Sequence, residues 1–350
     1  MTTLDTEPES PEPCRTEARI HIIHRDGSGE LHHDWPLDRL GEALADRDGV
    51  VWVDILDCVP QNGGKVETLL NDVFHFHRLA IEDATKDTHV PKVDDWDDYL
   101  YVVFQSIDFD TRTGRLRLHE FDSFLGMNYL VTYHNHPLNL IDQHRRNIER
   151  DPVNRLRQGA DHMFYRLLDT CVAEYLPVIE HLDKAIDAAQ DEVFKRPTPR
   201  TLQAIFRVKR SGIRLFRVLS PEREVLNRLA RDEYKPVRPE HRVYFRDVYD
   251  QMVRVHDITE TLRDLISGAL DTYLSAIANR TNDIMKTLTL VSVMFLPMSF
   301  LVGLFGMNFF ADNLSFKSEM PRHFLFFSTC LVMVATPWLI WLWGKRRGWY

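Results

Sequence analysis

Seven positions near the C-terminal end, Asn282, Met285, Thr289, Ser292, Leu296, Ser299 and Gly303, alternate steps of three and four and so share one helix face. The stripe is small or weakly polar and carries no charge. Neutral hydroxyl, amide and carbonyl oxygens accept hydrogen bonds from the water shell of a small cation without trapping the ion, as a ring of carboxylates would. Small residues also let helices approach closely inside a membrane, so the spacing supports both readings. Beyond the stripe stand Gly306, Met307 and Asn308. Gly and Asn suit a helix C-cap, and a helix ending there aims its last carbonyls and the Asn308 amide the same way.

Other residue types offer less. Carboxylates cluster at Glu82-Asp83, at Asp94, Asp95, Asp97 and Asp98, and along Asp247, Asp250, Asp257 and Asp264. Such runs are hard-oxygen ligand candidates for a divalent cation and equally ordinary solvated surface. Among 16 histidines, the pairs His75/His77 and His134/His136 lack a third zinc ligand at motif spacing and read as surface residues. Cys14, Cys58, Cys171 and Cys330 lie too far apart for a ligand cluster or a disulfide framework, which suits a cytosolic body. No nucleophile motif, phosphate-binding loop or dinucleotide fingerprint occurs, so neither an enzyme nor an ATP-driven pump has support.

The elements that position these residues follow from apolar patterning. Residues 288–311 contain no charge, and residues 323–344 form a second apolar run ending in Trp338, Trp341 and Trp343. About 20 apolar residues span a bilayer core, so each run is long enough. Arg280 and Lys286 precede the first run, and Lys345, Arg346 and Arg347 follow the second; the loop between holds Lys317 and Arg322, offset by Asp312 and Glu319. The positive-inside rule then places both termini in the cytoplasm and the loop outside. From residue 288 onward the charge is +3, so the rest of the 350-residue chain carries −12 of the net −9. An acidic body of this kind does not fit a nucleic-acid binder.

Residues 1–15 read as a disordered tail with no signal or anchor features. Strand signals near 18–24, 50–56, 99–108, 115–125 and 128–133 predict an α/β head, the last three as an antiparallel meander. The copy Gly126-Met127-Asn128 between two of them reads as a turn in which Gly and Asn tolerate positive φ. Residues 151–238 are helical, with a hairpin turn at Pro197 and Pro199 and a fresh segment at Pro221. From Glu240 to near Asn308 no glycine but Gly268, Gly303 and Gly306, and no proline but Pro297, interrupts helical spacing. One helix of roughly 100 Å is expected there.

At Tyr273-Leu274-Ser275, Asn279-Arg280-Thr281-Asn282, Pro297 and Gly306-Met307-Asn308, before a short loop and a last apolar run, the chain resembles the CorA family of divalent-cation channels. The resemblance covers most of the chain. One departure is Phe305, where the family usually has Tyr, which removes a hydroxyl and keeps the ring. The resemblance implies an α+β cytoplasmic head with a mixed or antiparallel sheet, a long stalk helix, two C-terminal transmembrane helices and a funnel-shaped homopentamer in the cell (inner) membrane. The expected divisions are 1–15 tail, 16–150 head, 151–238 helical hairpin region, 239–309 stalk and first span, 310–322 outer loop, 323–344 second span and 345–350 basic cytoplasmic tail. It further implies passive movement of Mg²⁺, and of Co²⁺ or Ni²⁺, with Mg²⁺ both transported and regulatory and no other cofactor. Partners would be copies of the chain, divalent cations and membrane lipid. Gly306, Met307 and Asn308 would form the selectivity filter, the 282–303 stripe the pore lining, and Lys345, Arg346 and Arg347 a basic collar. Residue matching puts a regulatory metal at Asp247, with Asp83 as its head partner. A Zn²⁺ transporter of the same superfamily and a membrane-anchored cation sensor or scaffold are the competing readings.

Overall fold

The computed structural model describes residues 18–58, 64–86, 90–151, 155–306 and 322–347. The chain divides into two compact units, Met1–Leu270 and Asp271–Tyr350. The first is built on a seven-stranded sheet of β1 (Arg19–Arg25), β2 (Leu31–His32), β3 (Val50–Leu56), β4 (Lys92–Asp95), β5 (Leu100–Asp110), β6 (Arg115–Leu125) and β7 (Tyr129–His134). The strand order is β2-β1-β3-β7-β6-β5-β4, and β3 and β7 are its parallel pair in an otherwise antiparallel ladder. The expected meander is β5-β6-β7.

Helices α1 (Leu40–Ala45), α2 (Lys65–Thr68) and α3 (Arg78–Thr85) cover one face. Their Leu40, Ala43, Val66, Ala80, Ile81 and Ala84 join Val51, Val53, Ile55, Tyr101, Phe124 and Tyr133 of the sheet in one core. Next in the chain come α4 (Asn139–Arg150), α5 (Gly159–Ala173), α6 (Tyr175–Lys195) and α7 (Pro199–Arg231). Of these, α5 lies against β3, β5, β6 and β7, and α7 against β4, β5 and β6. Because both faces are covered, β3 is buried from Val50 to Ile55 instead of alternating. Its one carboxylate, Asp54, is satisfied inside the sheet. Thr132 Oγ1 donates to it at 2.6 Å, His134 Nε2 lies at 3.2 Å and the Arg145 guanidinium donates at 2.6 Å. Burial alone would raise the Asp54 carboxyl; these partners outweigh it and hold it low.

The Gly126-Met127-Asn128 copy does form the β6–β7 turn, for a reason other than positive φ. Gly126 N–H donates to Tyr129 O at 2.9 Å, and a Cβ on Gly126 would stand 2.3 Å from the Tyr129 ring. Glycine is needed there for space. Asn128 Nδ2 donates to the carbonyls of Leu44 and Asp46 at 3.1 and 2.9 Å, locking the turn to the end of α1.

Thr198 caps α7 through a capping box with Thr201, and Pro199 opens the helix. The helix then runs 33 residues straight through Pro221, so no new segment starts there. An internal proline costs about 3 kcal/mol. Val218, Leu219, Val225 and Leu226 are buried around it, which offsets that cost. A 3₁₀ turn at Pro239–His241 leads into α8 (Arg242–Gly306), 65 residues long and including Pro297. Its start is pinned to α5: Asp161 accepts from the Arg238 guanidinium at 2.7 Å, and His241 Nδ1 lies 2.9 Å away. The second unit contains the rest of α8 and α9 (Arg322–Arg346), with Pro337 inside it. Among the described residues one helix, α8, is long and apolar enough to cross a membrane, and its apolar window is unburied.

Candidate ion pathway and the carboxylates of the head

Asn282, Met285, Thr289, Ser292, Leu296, Ser299 and Gly303 are all on α8, and all are exposed. From residue 274 to 304 no side chain is buried. Within the span of the stripe, 282–304, partial cover falls instead on Leu290, Met294, Pro297, Met298, Leu301 and Leu304. At about 100° per residue that covered face lies roughly opposite the stripe. The Ser292 hydroxyl donates to Leu288 O at 2.9 Å, which satisfies its proton within the helix and leaves an oxygen lone pair facing outward. Gly306 is the last residue of α8; Met307 and Asn308 lie outside the described residues.

At the end of α9, Lys345 Nζ stands 5.2 Å over the Trp341 ring, and Arg347 stands 5.2 Å over Trp343. With Arg346, these residues are exposed. The aromatic cluster thus holds two of the three cations in place by cation–π attraction.

The two carboxylates that residue matching selected have separate partners. Asp83, on α3, accepts from Lys92 Nζ at 2.5 Å, and the same ammonium reaches Asp94 at 2.8 Å. Burial would lower the Lys92 ammonium, yet its hydrogen bonds to Asp83 and Asp94 raise it above the ordinary lysine value. A cation arriving at Asp83 must compete with this lysine. The run 94–98 is likewise not simply solvated, since Lys235 Nζ lies 2.9 Å from Asp97. Asp247, exposed on α8, accepts from Gln251 Nε2 at 3.1 Å. The same amide donates to Asp169 of α5 at 3.1 Å. Asp169 is therefore the carboxylate that Gln251 links to Asp247 within the chain. Sequence spacing gave no signal for it, because the pairing depends on how α5 lies on α8.

Of the histidines read as surface residues, His134 is buried and held by Asp54, with its Nδ1 2.6 Å from His136 O. His77 caps α3 by accepting from Leu79 N–H at 3.2 Å and stacks on Trp96. His134 and His77 are thus each engaged by neighbours within the fold. His134 is buried with a polar neighbour at each ring nitrogen, Asp54 Oδ1 at Nε2 and His136 O at Nδ1.

The CorA-like Mg²⁺ transporter protein family matches residues 47–346, which include α8, α9 and every carboxylate just described. The chain belongs to that family. A cobalt/magnesium transport protein CorA of Thermotoga maritima is 33% identical over 253 residues, covering 72% of each chain. A zinc transport protein ZntB of Yersinia pseudotuberculosis is 28% identical over 202 residues, 55% of this chain and 57% of its own. Among solved structures, the CorA magnesium transporter of Methanocaldococcus jannaschii superposes with a TM-score of 0.76 at 20% identity, covering 94% of this chain and 98% of that one. That likeness establishes the fold: a CorA-like α/β head with a mixed sheet and a long helix. Within the family frame, the stripe and the 306–308 tripeptide both lie inside the matched region.

Proposed function

We propose that the chain is a passive channel for divalent cations, Mg²⁺ first and Co²⁺ or Ni²⁺ with it, formed by several copies around an axis. The observation that carries this reading is the uncharged stripe of α8, exposed on the side away from the partly covered face. Two helices per chain do not enclose a pore, so copies must supply the remaining walls. A homopentamer in the cell membrane, with α8 and α9 as spans and both termini in the cytoplasm, meets that need. It brings the stripes together and gathers Lys345, Arg346 and Arg347 into a collar. Mg²⁺ dehydrates reluctantly. Hydroxyls, Asn282 and the Asn308 amide would accept hydrogen bonds from its water shell and release it again. Loss of the tyrosine hydroxyl at Phe305 leaves Gly306, Met307 and Asn308 as the filter.

Regulation by cytoplasmic Mg²⁺ would act through Asp247, with Asp83 on a neighbouring copy or Asp169 on the same one. An ion bridging two carboxylates cancels their repulsion and favours whichever state holds the bridge. The zinc reading rests on a relative covered over little more than half of the chain, whereas the cobalt/magnesium relative is covered further. The test is flux of each ion into vesicles containing the purified protein. Asn308→Ala is expected to abolish or sharply reduce uptake while the oligomer still assembles. Wild-type flux and selectivity in that variant would reject the filter. Zn²⁺ uptake exceeding Mg²⁺ uptake would reverse the ion order.

A further inference from the structure

His24 is 3% exposed, and neither of its ring nitrogens meets a hydrogen-bond partner. An unpaired buried polar group costs about 1–3 kcal/mol and calls for an explanation. The register of the first hairpin supplies one. His24 on β1 is directly opposite His32 on β2, so both imidazoles stand on one face, with ring centroids 5.8 Å apart. The turn between them brings in carboxylates. One ligand atom from each of Asp26, Glu30 and His32 falls within a common 4.8 Å. His32 Nε2 is 3.4 Å from Asp26 Oδ2. Asp46 faces the buried ring from the next turn, its Oδ2 3.9 Å from His24 Nε2.

The 3.4 Å between His32 Nε2 and Asp26 Oδ2 matches the edge of a tetrahedron with nitrogen and oxygen ligands at about 2.1 Å. The turn itself is already well made. Asp26 Oδ1 accepts from the Ser28 hydroxyl at 2.6 Å and from Glu30 N–H at 2.9 Å, and Asp46 Oδ2 accepts from Gly27 N–H at 2.8 Å. None of those bonds uses His24, so turn formation leaves the buried imidazole unexplained. Asp26, Glu30 and Asp46 outnumber Arg25, whose guanidinium lies beside Gly29.

We infer that the β1–β2 hairpin is a binding site for a borderline divalent cation of the Zn²⁺ class, held by His32, Asp26 and Glu30, with the unpartnered His24 imidazole buried beside them on the same face. Imidazole ligands select Zn²⁺, Co²⁺ or Ni²⁺, whereas Mg²⁺ takes oxygen in octahedral geometry. The hairpin precedes residue 47, where the family match begins, and shares no residue with the carboxylates described on α3 and α8. Its effect is to staple β2, a two-residue edge strand, to the sheet.

The test uses the full-length protein in detergent, stripped with chelator and titrated with Co²⁺. Wild type is expected to develop the intense visible bands of low-coordinate cobalt, saturating at one ion per chain. Zn²⁺ should bleach them and excess Mg²⁺ should not. His32→Ala and Glu30→Gln, both on accessible side chains, should weaken binding by about tenfold or more. Zn²⁺ should raise the thermal midpoint of wild type and leave that of Glu30→Gln unmoved. Unchanged cobalt bands in both variants would overturn the site. So would loss of the bands in His256→Gln alone, because His256, Asp257 and Glu260 form the other candidate cluster among the described residues.

Discussion

Two stretches of α8 follow the same three-and-four spacing and use it in opposite ways. Between residues 242 and 270, Phe245, Val248, Met252, Val255, Leu262, Ile266 and Ala269 are buried. Between residues 274 and 304, the repeating stripe is small and uncharged, and no residue is buried. In water an amphipathic helix hides its apolar face within its own fold. In a bilayer the apolar residues can face lipid, and the polar stripe is the face that needs company. One helix thus passes from a buried stripe to an exposed one, and on the proposed function the exposed stripe is the one that other copies would cover.

The largest expected contrast is in stability. Phe245 is 0% exposed, between the Phe164 and Tyr165 rings of α5. Phe245→Ala should cost about 3–5 kcal/mol, the usual loss for a buried phenylalanine. Thermal unfolding of the full chain in detergent reads it. A cost below about 1 kcal/mol would break the comparison, because it would make the lower stripe as dispensable as an exposed one.

A second contrast is in pH response, and it comes from Glu222. This carboxyl is fully buried on α7. Its Oε1 accepts from Gln105 N–H at 3.1 Å, beyond the last β4–β5 pair, Lys92↔Val103. Burial pushes it well above the ordinary glutamate value, so it is folded in the neutral form. A raised folded value means that its contribution is complete below the unfolded value, about 4.3, and is lost as pH rises toward the folded one. Wild type should lose up to about 1.4 kcal/mol per pH unit over that window from this group. Glu222→Gln keeps an acceptor for Gln105 and removes the slope, so the variant should gain on wild type as pH increases from 5 to 8. Stability curves that run parallel would show Glu222 ionised in the fold.

How much of this was readable beforehand depends on whether a feature is local. The β5-β6-β7 meander and the length of α8 were legible, because alternation, turn residues and the scarcity of breakers are written in consecutive residues. β4 was not: Lys92-Val93-Asp94-Asp95 is mostly charged, and it is a strand because β5 offers it an edge. The passage of α7 through Pro221 was hidden for the same reason, since burial of its neighbours decides it. Of the candidate site, the stripe was legible from spacing. Asp169 was not, because Gln251 joins it to Asp247 only after α5 and α8 meet. His24 and His32 had a usable signal, the mirrored order His-x-Asp and Glu-x-His across a glycine turn, which gains meaning once the strand register is fixed.

The smallest effect on stability is expected where the effect on transport is informative. Leu296 is 70% exposed on the stripe, flanked by Ser292 and Ser299. In a single chain it supports nothing, so Leu296→Ser should change stability by no more than about 0.5 kcal/mol. In a ring of copies, however, the leucines would form an apolar collar within an otherwise polar lining, and such constrictions impede ions by excluding water. A hydroxyl there keeps the lining wet. Leu296→Ser should therefore raise Mg²⁺ flux severalfold with the melting temperature unchanged. The paired measurement is vesicle uptake beside thermal unfolding on the same preparation. If flux stays at the wild-type level while stability falls by more than about 1 kcal/mol, Leu296 is a packing residue between helices, and the stripe marks a contact surface instead of a water-filled path.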